Sequence, residues 1–501
     1  MPPPPPDSLA ARLAWPAALV LLPVLVLGLR WASFLPSVID WDESLYILQA
    51  REWLRGKWPL SGVWDMHPVG APAMIAGAFL VAGESLVTVR LLGAACVTAT
   101  GYALILLVRA LGGGRTLGYA AALLYAAHSI LLGGLASNTE ILFAPLVTGT
   151  LVLALRAGPH WPRLIGMGLL MGPALLVKPV VTPEGCLAFA LFAWPLLRAR
   201  RFGPLAGMAA AYAALCAAPT LLVGGLYALR GEFDIWLDST ILAPFTYAAG
   251  GVTTGTALYR ITMAALALRW LLLMLLPLML LLGPVRDAVL ARMAGFGLLW
   301  LAVATVAVAV PGHFFAHYFL IQLPPLALLA ATGLLVFARF VGTRRPRVLA
   351  FAGVLAVAGN VVATDLNIRL NRGFAMGLPD APRRMAELMN DELRPGETIF
   401  VPNYQPVVYF LTKAPLPTRF PFPVHLTGSF GALAGVDTDA EVARILAARP
   451  RFIVLDRSEW FSMRASAMAM LTEALEEHYE LAATFIEERG VVELYRLLEP
   501  G

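Results

Sequence analysis

Long apolar runs recur along this chain, and they constrain its fold more than any other feature of the sequence. A helix needs about 20 apolar residues to cross a bilayer. Hydrophobic residues make up 59% of the 501 residues and charged residues only 14%, whereas soluble domains are about one-quarter charged. The sequence therefore predicts a polytopic α-helical membrane protein with about 11 to 13 transmembrane helices.

The candidate spans are separated by short polar segments, and the N-terminal residues Pro2–Pro6 are expected to form a flexible lead-in. A further apolar piece at 71–82 is too short to cross alone, and we expect it to dip into the membrane. The candidate spans comprise residues 14–35, 85–108, 117–135, 140–156, 164–181, 184–197, 204–226, 258–283, 293–311, 318–338 and 347–364.

Basic residues cluster in five loops between these runs, so the net charge of +5 indicates topology rather than nucleic-acid binding. With eleven crossings, the five loops share one side with the N-terminus, and the positive-inside rule makes that side cytoplasmic. The 36–72 loop and the C-terminus then lie outside the cytoplasm, in the periplasm of a Gram-negative cell. The basic residues comprise Arg109, Arg115, Arg156, Arg163, Arg198, Arg200, Arg201, Arg286, Arg292, Arg339, Arg344, Arg345 and Arg347.

The composition changes after about Thr364, where charge rises and the apolar periodicity becomes mixed. Helical patterns at 382–393, 441–448 and 468–478 alternate with strand patterns at 398–401, 452–455 and 491–497. This alternation predicts a small periplasmic α/β domain. We therefore expect a membrane module at 1–364, with an amphipathic periplasmic loop at 36–72, and a second domain at 365–501.

The first predicted external loop carries three carboxylates, Asp40, Asp42 and Glu43, at the edge of the membrane. Acids near lipid are costly and usually functional, so this cluster is a candidate active site. Residues 42–54 are typical of an amphipathic helix on the membrane surface. An equally good interpretation is a capped interfacial helix whose tryptophans anchor it at the interface.

The other polar candidates near the external side are a lysine and two histidines. Lys178 directly follows an apolar run, where it meets either an anionic ligand or the interface as a snorkelling side chain. His313 and His317 have the i, i+4 spacing that could bind a metal, form a polar rim with Tyr318, or only pack. We assign no metal ligand.

The motif Asp42-Glu43-x-x-Tyr46 resembles the first external loop of the C-type membrane glycosyltransferases. The most similar subgroup includes the protein O-mannosyltransferases and the lipid A aminoarabinose transferases. Further matching elements follow in the same order and on the same predicted side. They comprise residues 66–72, Ser137-Asn138-Thr139-Glu140, 168–179 with Lys178-Pro179, His317-Tyr318-Phe319-Leu320, Leu323-Pro324-Pro325-Leu326, 403–409 and Thr418-Arg419-Phe420.

The resemblance implies the C-type glycosyltransferase fold and an inverting transfer of sugar from a polyprenyl-phosphate carrier. It implies that Asp42 is the general base, that Glu43 orients a neighbour or binds sugar, and that Glu140 is the second acid. His67 stands where relatives commonly carry a phosphate-binding lysine, and a neutral imidazole donates only one hydrogen bond. The expected donor-binding residues are His67, Lys178, Arg55, His317, Tyr318 and Tyr46.

The partners implied are a polyprenyl-phosphate sugar, membrane lipids, and a lipid, glycan or protein acceptor, with no nucleic acid. We expect a monomer in the bacterial inner membrane, with no obligatory cofactor and the need for a divalent cation left open. One alternative is a flippase or transporter for lipid-linked sugars, which would place charges at the membrane midplane in broken helices. The other is a non-catalytic subunit of a cell-envelope assembly complex.

Overall fold

The computed structural model describes residues 9–156, 158–371, 380–488 and 490–498. The Pro2–Pro6 run lies outside the described residues. Every predicted span overlaps a helix, which confirms the polytopic helical fold. The longer helices of this part comprise Leu9–Leu29, Gly70–Ala82, Leu86–Ala110, Arg115–His128, Thr139–Ala154, Trp161–Val177, Thr182–Arg198, Phe202–Leu229, Thr254–Ala267, Ala288–Ala309, Leu323–Phe340 and Pro346–Asn371.

Within the described residues, six helical segments are long and apolar enough to cross a membrane, or seven if one bent pair counts as a span. The bent pair is Thr254–Ala267 with Arg269–Leu282, and its axis turns by 75°, whereas the sequence predicts one continuous span at 258–283. After the bend, the Met274 carbonyl packs directly on Gly333, where a Cβ atom would overlap it. The chain is therefore a multi-pass membrane protein, and its described part contains one sharply bent helix pair.

The helix Trp41–Leu54, called the first-loop helix below, does not lie on the surface as expected. Ten consecutive residues, Glu43–Glu52, are buried. Tyr46 and Ile47 pack in the main core, while Leu45 packs with Phe422 of the C-terminal region. The surface-helix prediction was wrong because residues of the C-terminal region, among them Phe422 and Tyr409, pack over this helix.

The C-terminal region forms a four-stranded sheet whose strands are β1 (Ile399–Phe400), β2 (Phe452–Asp456), β3 (Tyr479–Glu487) and β4 (Gly490–Leu497). The spatial order is β1-β2-β4-β3, with β1 parallel to β2 and the other pairs antiparallel. Helices Ala381–Glu392, Thr438–Ala447 and Ala465–His478 accompany the sheet. The predicted α/β domain is confirmed, although the edge strand β3 was not predicted.

This sheet domain contacts the 36–72 loop through backbone and side-chain groups. The Arg51 guanidinium donates to the Tyr409 carbonyl at 2.8 Å, and the Trp64 N–H donates to the Arg419 carbonyl at 2.7 Å. The Ser37 hydroxyl donates to Asp380 at 2.7 Å. The last apolar helix runs to Asn371, beyond the expected domain boundary at 364, so that boundary stays a prediction.

Candidate active site

Three carboxylates at the start of the first-loop helix differ sharply in their access to solvent. The Asp40 side chain caps the helix by accepting the Asp42 N–H at 3.1 Å. The side chains of Asp42, Asp40 and Glu43 are 31%, 19% and 1% exposed. Asp42 is thus the carboxylate of this cluster most open to an incoming substrate.

Glu43 is occupied by structural partners. It forms a buried ion pair with Arg90, and it accepts the Ser137 N–H at 2.6 Å. Arg90 also donates to the Ser33 carbonyl at 2.9 Å. Glu43 therefore ties the first-loop helix to the helix Leu86–Ala110 and to the turn before Glu140.

His317 lies between two carboxylates of the first loop. Its Nδ1 atom is 3.3 Å from Asp40 Oδ2, and its Nε2 atom is 3.7 Å from Asp42 Oδ2. Gly133 makes this approach possible, since its φ is +77° and a Cβ there would lie 3.3 Å from Asp40 Oδ2. The three side chains bring one potential ligand atom each within 4.8 Å, but the ion-pair geometry already accounts for their grouping.

His313 does not join His317. Its Nε2 atom contacts the Tyr247 carbonyl at 3.0 Å, and its ring stacks on Tyr247 with 3.9 Å between centroids. Phe314 adopts a left-handed conformation with φ of 52°, so the chain between the two histidines is not helical. The i, i+4 spacing therefore does not put them on one face.

Glu140 and Lys178 form a second charged group next to His317. Lys178 Nζ donates to Glu140 Oε1 at 2.7 Å and lies 4.4 Å from the centre of the Tyr318 ring. The Tyr318 hydroxyl is 3.2 Å from that of Tyr247. Lys178 thus enters the site as an ion-paired, buried cation rather than as a snorkelling side chain.

His67 is held by a neighbour that the sequence analysis did not single out as a site residue. Its Nδ1 atom lies 3.1 Å from both oxygens of Asp65, and its ring meets Tyr46 edge-on at 6.2 Å. Although burial alone would raise the pKa of Asp65, the adjacent His67 holds that pKa below its ordinary value. The Asp-x-His spacing was the available signal for this dyad.

The pKa values of Asp42 and Asp40 shift in opposite directions. Burial, together with the negative charge of Asp40, raises the pKa of Asp42 to about 6. His317, His67 and Lys178 act in the opposite direction on Asp42. Burial would also raise the pKa of Asp40, but its hydrogen bond with His317 lowers it below the ordinary value. Two neighbouring carboxylates with separated pKa values are a common feature of acid–base sites.

Arg55 lies apart from this group, contrary to the sequence-based expectation. Its guanidinium contacts Glu52 at 3.4 Å and Glu84 at 3.6 Å. It follows Asp42 by thirteen residues on the chain, which corresponds to roughly 20 Å along a helix. The structure therefore brings together Asp42, Glu140, His67, Lys178, His317, Tyr318 and Tyr46, but not Arg55.

Gly70 lets the segment carrying His67 approach Lys178. A Cβ atom at Gly70 would overlap the backbone at Leu176 and Val177, immediately before Lys178. We expect Gly70→Ala to push the two helices apart and to lower the thermal unfolding temperature measured in detergent. Gly77→Ala is the matched control, because a Cβ at Gly77 meets open space; equal unfolding temperatures for the two variants would contradict the close-packing argument.

Comparisons with known proteins bear on the fold. The family model described as dolichyl-phosphate-mannose-protein mannosyltransferase matches residues 66–223. No curated protein matches the chain.

Solved structures match over nearly the whole length. ArnT from Cupriavidus metallidurans bound to undecaprenyl phosphate is 15% identical, with a TM-score of 0.62 over 95% of this chain and 97% of that one. Its apo state gives a TM-score of 0.63. The archaeal oligosaccharyltransferase AglB from Archaeoglobus fulgidus, in complex with an inhibitory peptide and a dolichol-phosphate, is 13% identical, with a TM-score of 0.53 over 98% of this chain and 75% of that one. The expected resemblance is therefore confirmed: this is a multi-pass membrane protein with the fold of the C-type membrane glycosyltransferases.

Proposed function

We propose that this protein transfers a sugar from a polyprenyl-phosphate carrier to a lipid, glycan or protein acceptor. The observation that carries the proposal is the environment of Asp42. This partly exposed carboxylate lies near His317, His67 and Lys178, and its pKa is raised to about 6. The fold match to ArnT with undecaprenyl phosphate and to AglB with a dolichol-phosphate supports a polyprenyl-phosphate donor.

The reaction proceeds with inversion. Asp42 takes the proton of the acceptor hydroxyl, whose oxygen forms a bond to the anomeric carbon as the carbon–phosphate oxygen bond breaks. The bonding electrons leave with the polyprenyl phosphate. Lys178 and His67 face the negative charge that develops there, while Glu140 holds Lys178 in place at 2.7 Å. Tyr46 lies beside His67, and Tyr318 lies beside Lys178.

In this proposal the protein works as a monomer in the bacterial inner membrane, with the 36–72 loop and the sheet domain in the periplasm. The donor lipid stays in the bilayer and presents its phosphate at the membrane edge. We propose that no divalent cation is obligatory, since His317 already neutralises one charge of the Asp40–Asp42 pair.

The test has two stages. Mass spectrometry of membrane glycolipids from a gene-deletion strain identifies the missing product and thus the sugar. The purified full chain in lipid nanodiscs is then given that sugar as a radiolabelled undecaprenyl-phosphate donor, with and without EDTA. Label in a covalent acceptor product supports a transferase, whereas label that only crosses the membrane of reconstituted vesicles indicates a flippase. Loss of turnover in EDTA, restored by Mg²⁺, would contradict the proposal of cation independence.

The raised pKa of Asp42 predicts a pH dependence. A base works in its ionised form, which for a pKa of about 6 is present above pH 6 and is lost as the pH falls through that value. We expect turnover to level off above about pH 7 and to fall about tenfold per pH unit well below pH 6. Thermal unfolding at each pH separates this effect from denaturation. A flat profile between about pH 4 and about pH 8 would exclude Asp42 as the base.

A further inference from the structure

His317 is better placed to act on Asp42 than to bind donor phosphate. Its two ring nitrogens point to Asp40 at 3.3 Å and to Asp42 at 3.7 Å. Each ring nitrogen therefore has a carboxylate neighbour, which leaves neither of them directed at a donor phosphate. The imidazole also contacts the Tyr318 ring edge-on at 4.9 Å, which fixes its orientation.

Asp40 is held more firmly than Asp42. Its Oδ1 atom accepts the Asp42 N–H at 3.1 Å, and its Oδ2 atom faces His317. Gly133 packs against the same oxygen, so a side chain at that position would press on it. Asp40 thus links the backbone of Asp42 to the ring that contacts the Asp42 carboxylate.

We propose that Asp40 and His317 are positioning residues that orient Asp42 and tune its charge. The three side chains form a carboxylate–imidazolium–carboxylate arrangement, called the relay below, in which no proton passes through His317. The relay rests on the proposed function, in which Asp42 is the base. The imidazolium holds one Asp42 oxygen and leaves the other free for the acceptor hydroxyl. The proton from that hydroxyl ends on Asp42 and leaves to water through the exposed side of the carboxylate, while His317 keeps its own proton throughout.

The two positioning residues act on Asp42 with opposite charge. A neighbouring anion makes a carboxylate harder to ionise, and a neighbouring cation makes it easier, each by about one to three pH units at close range. The other groups that face Asp42 are His67, Lys178 and the hydroxyls of Tyr46, Tyr247 and Tyr318. These groups are unchanged when either relay residue is substituted.

Labelling with dicyclohexylcarbodiimide tests the relay without needing the sugar substrate, because the reagent reacts with protonated carboxyl groups. The full chain in nanodiscs is labelled across the pH range, and tandem mass spectrometry locates the label on Asp42. For the wild type we expect a midpoint near pH 6. Asp40→Asn, which keeps the helix cap, should move the midpoint down by about one unit or more, and His317→Gln should move it up by a similar amount.

Controls make the outcome decisive. Asp42→Asn removes the signal, and the exposed Glu473→Gln in the sheet domain should leave the midpoint unchanged. In the transfer assay, the acid limb of the pH–rate profile should move with the labelling midpoint in each variant, which a loss of packing alone would not cause. Unmoved midpoints, or midpoints that move in one direction for both variants, would overturn the relay.

If His317→Gln does not fold, the direction of the Asp40→Asn shift alone decides the proposal. The proposed function can fail separately. Opposite shifts in labelling together with a wild-type protein that transfers no sugar would support the relay and reject the glycosyltransferase.

Discussion

Asp42→Asn is expected to lower sugar transfer roughly 100- to 10,000-fold, the usual contribution of a positioned general base. An amide cannot accept the proton of the acceptor hydroxyl, but it has the size of the carboxylate and keeps the packing of the first-loop helix. Lys178 and His67, which face the donor phosphate in the proposed mechanism, remain in place. Binding of undecaprenyl phosphate, measured by tryptophan fluorescence in nanodiscs, should therefore stay within about twofold of the wild type.

The matched control is Glu473→Gln, the same acid-to-amide change at an exposed position of the helix Ala465–His478. It should turn over like the wild type. An Asp42→Asn protein that retains full turnover would remove Asp42 from the mechanism. An Asp42→Asn protein that also loses undecaprenyl phosphate binding would show that the substitution had damaged the donor site.

Arg90→Met is expected to destabilise the protein by about 3–5 kcal/mol, because it leaves Glu43 as an unpaired buried charge. Both side chains of this ion pair are only 1% exposed. The Glu43 carboxylate would keep just the Ser137 N–H at 2.6 Å. The free energy of unfolding can be measured by titrating SDS into mixed detergent micelles.

The double variant Arg90→Met with Glu43→Leu is the informative control for this pair. Removing both charges should restore part of the stability that Arg90→Met loses, because replacing a buried ion pair by apolar side chains is often close to neutral. A double variant less stable than Arg90→Met would contradict the view that the orphaned Glu43 charge is the cause.

The sequence predicts the parts of this fold that depend on local composition. Apolar runs predict the membrane helices, and alternating patterns predict β1, β2 and β4. The strand β3 was missed because it lies at the sheet edge, with Leu481 and Ile486 exposed. The bend after Ala267 was not predicted, because the apolar composition of 258–283 is that of one continuous span.

The residues of the candidate site likewise divide into those that local sequence predicts and those that depend on distant contacts. Asp42, His67, Glu140 and Lys178 could be selected from motif order and predicted membrane side. The pairing of His317 with Asp40 could not, since it depends on the tertiary approach of the 36–72 loop to the segment before Leu323. Arg55 was selected for its charge, but the length of the first-loop helix carries it away to Glu52 and Glu84.

The cover over the first-loop helix has a consequence for biosynthesis. The carbonyl groups that receive Arg51 and Trp64 belong to Tyr409 and Arg419, which leave the ribosome long after the first helices. A nascent chain can therefore insert its early spans while the first-loop helix still lacks these contacts with the sheet domain. The first-loop helix is fully covered only after the sheet domain has folded, so a partly synthesised chain holds Asp40 and Asp42 on a helix that is still open on one side.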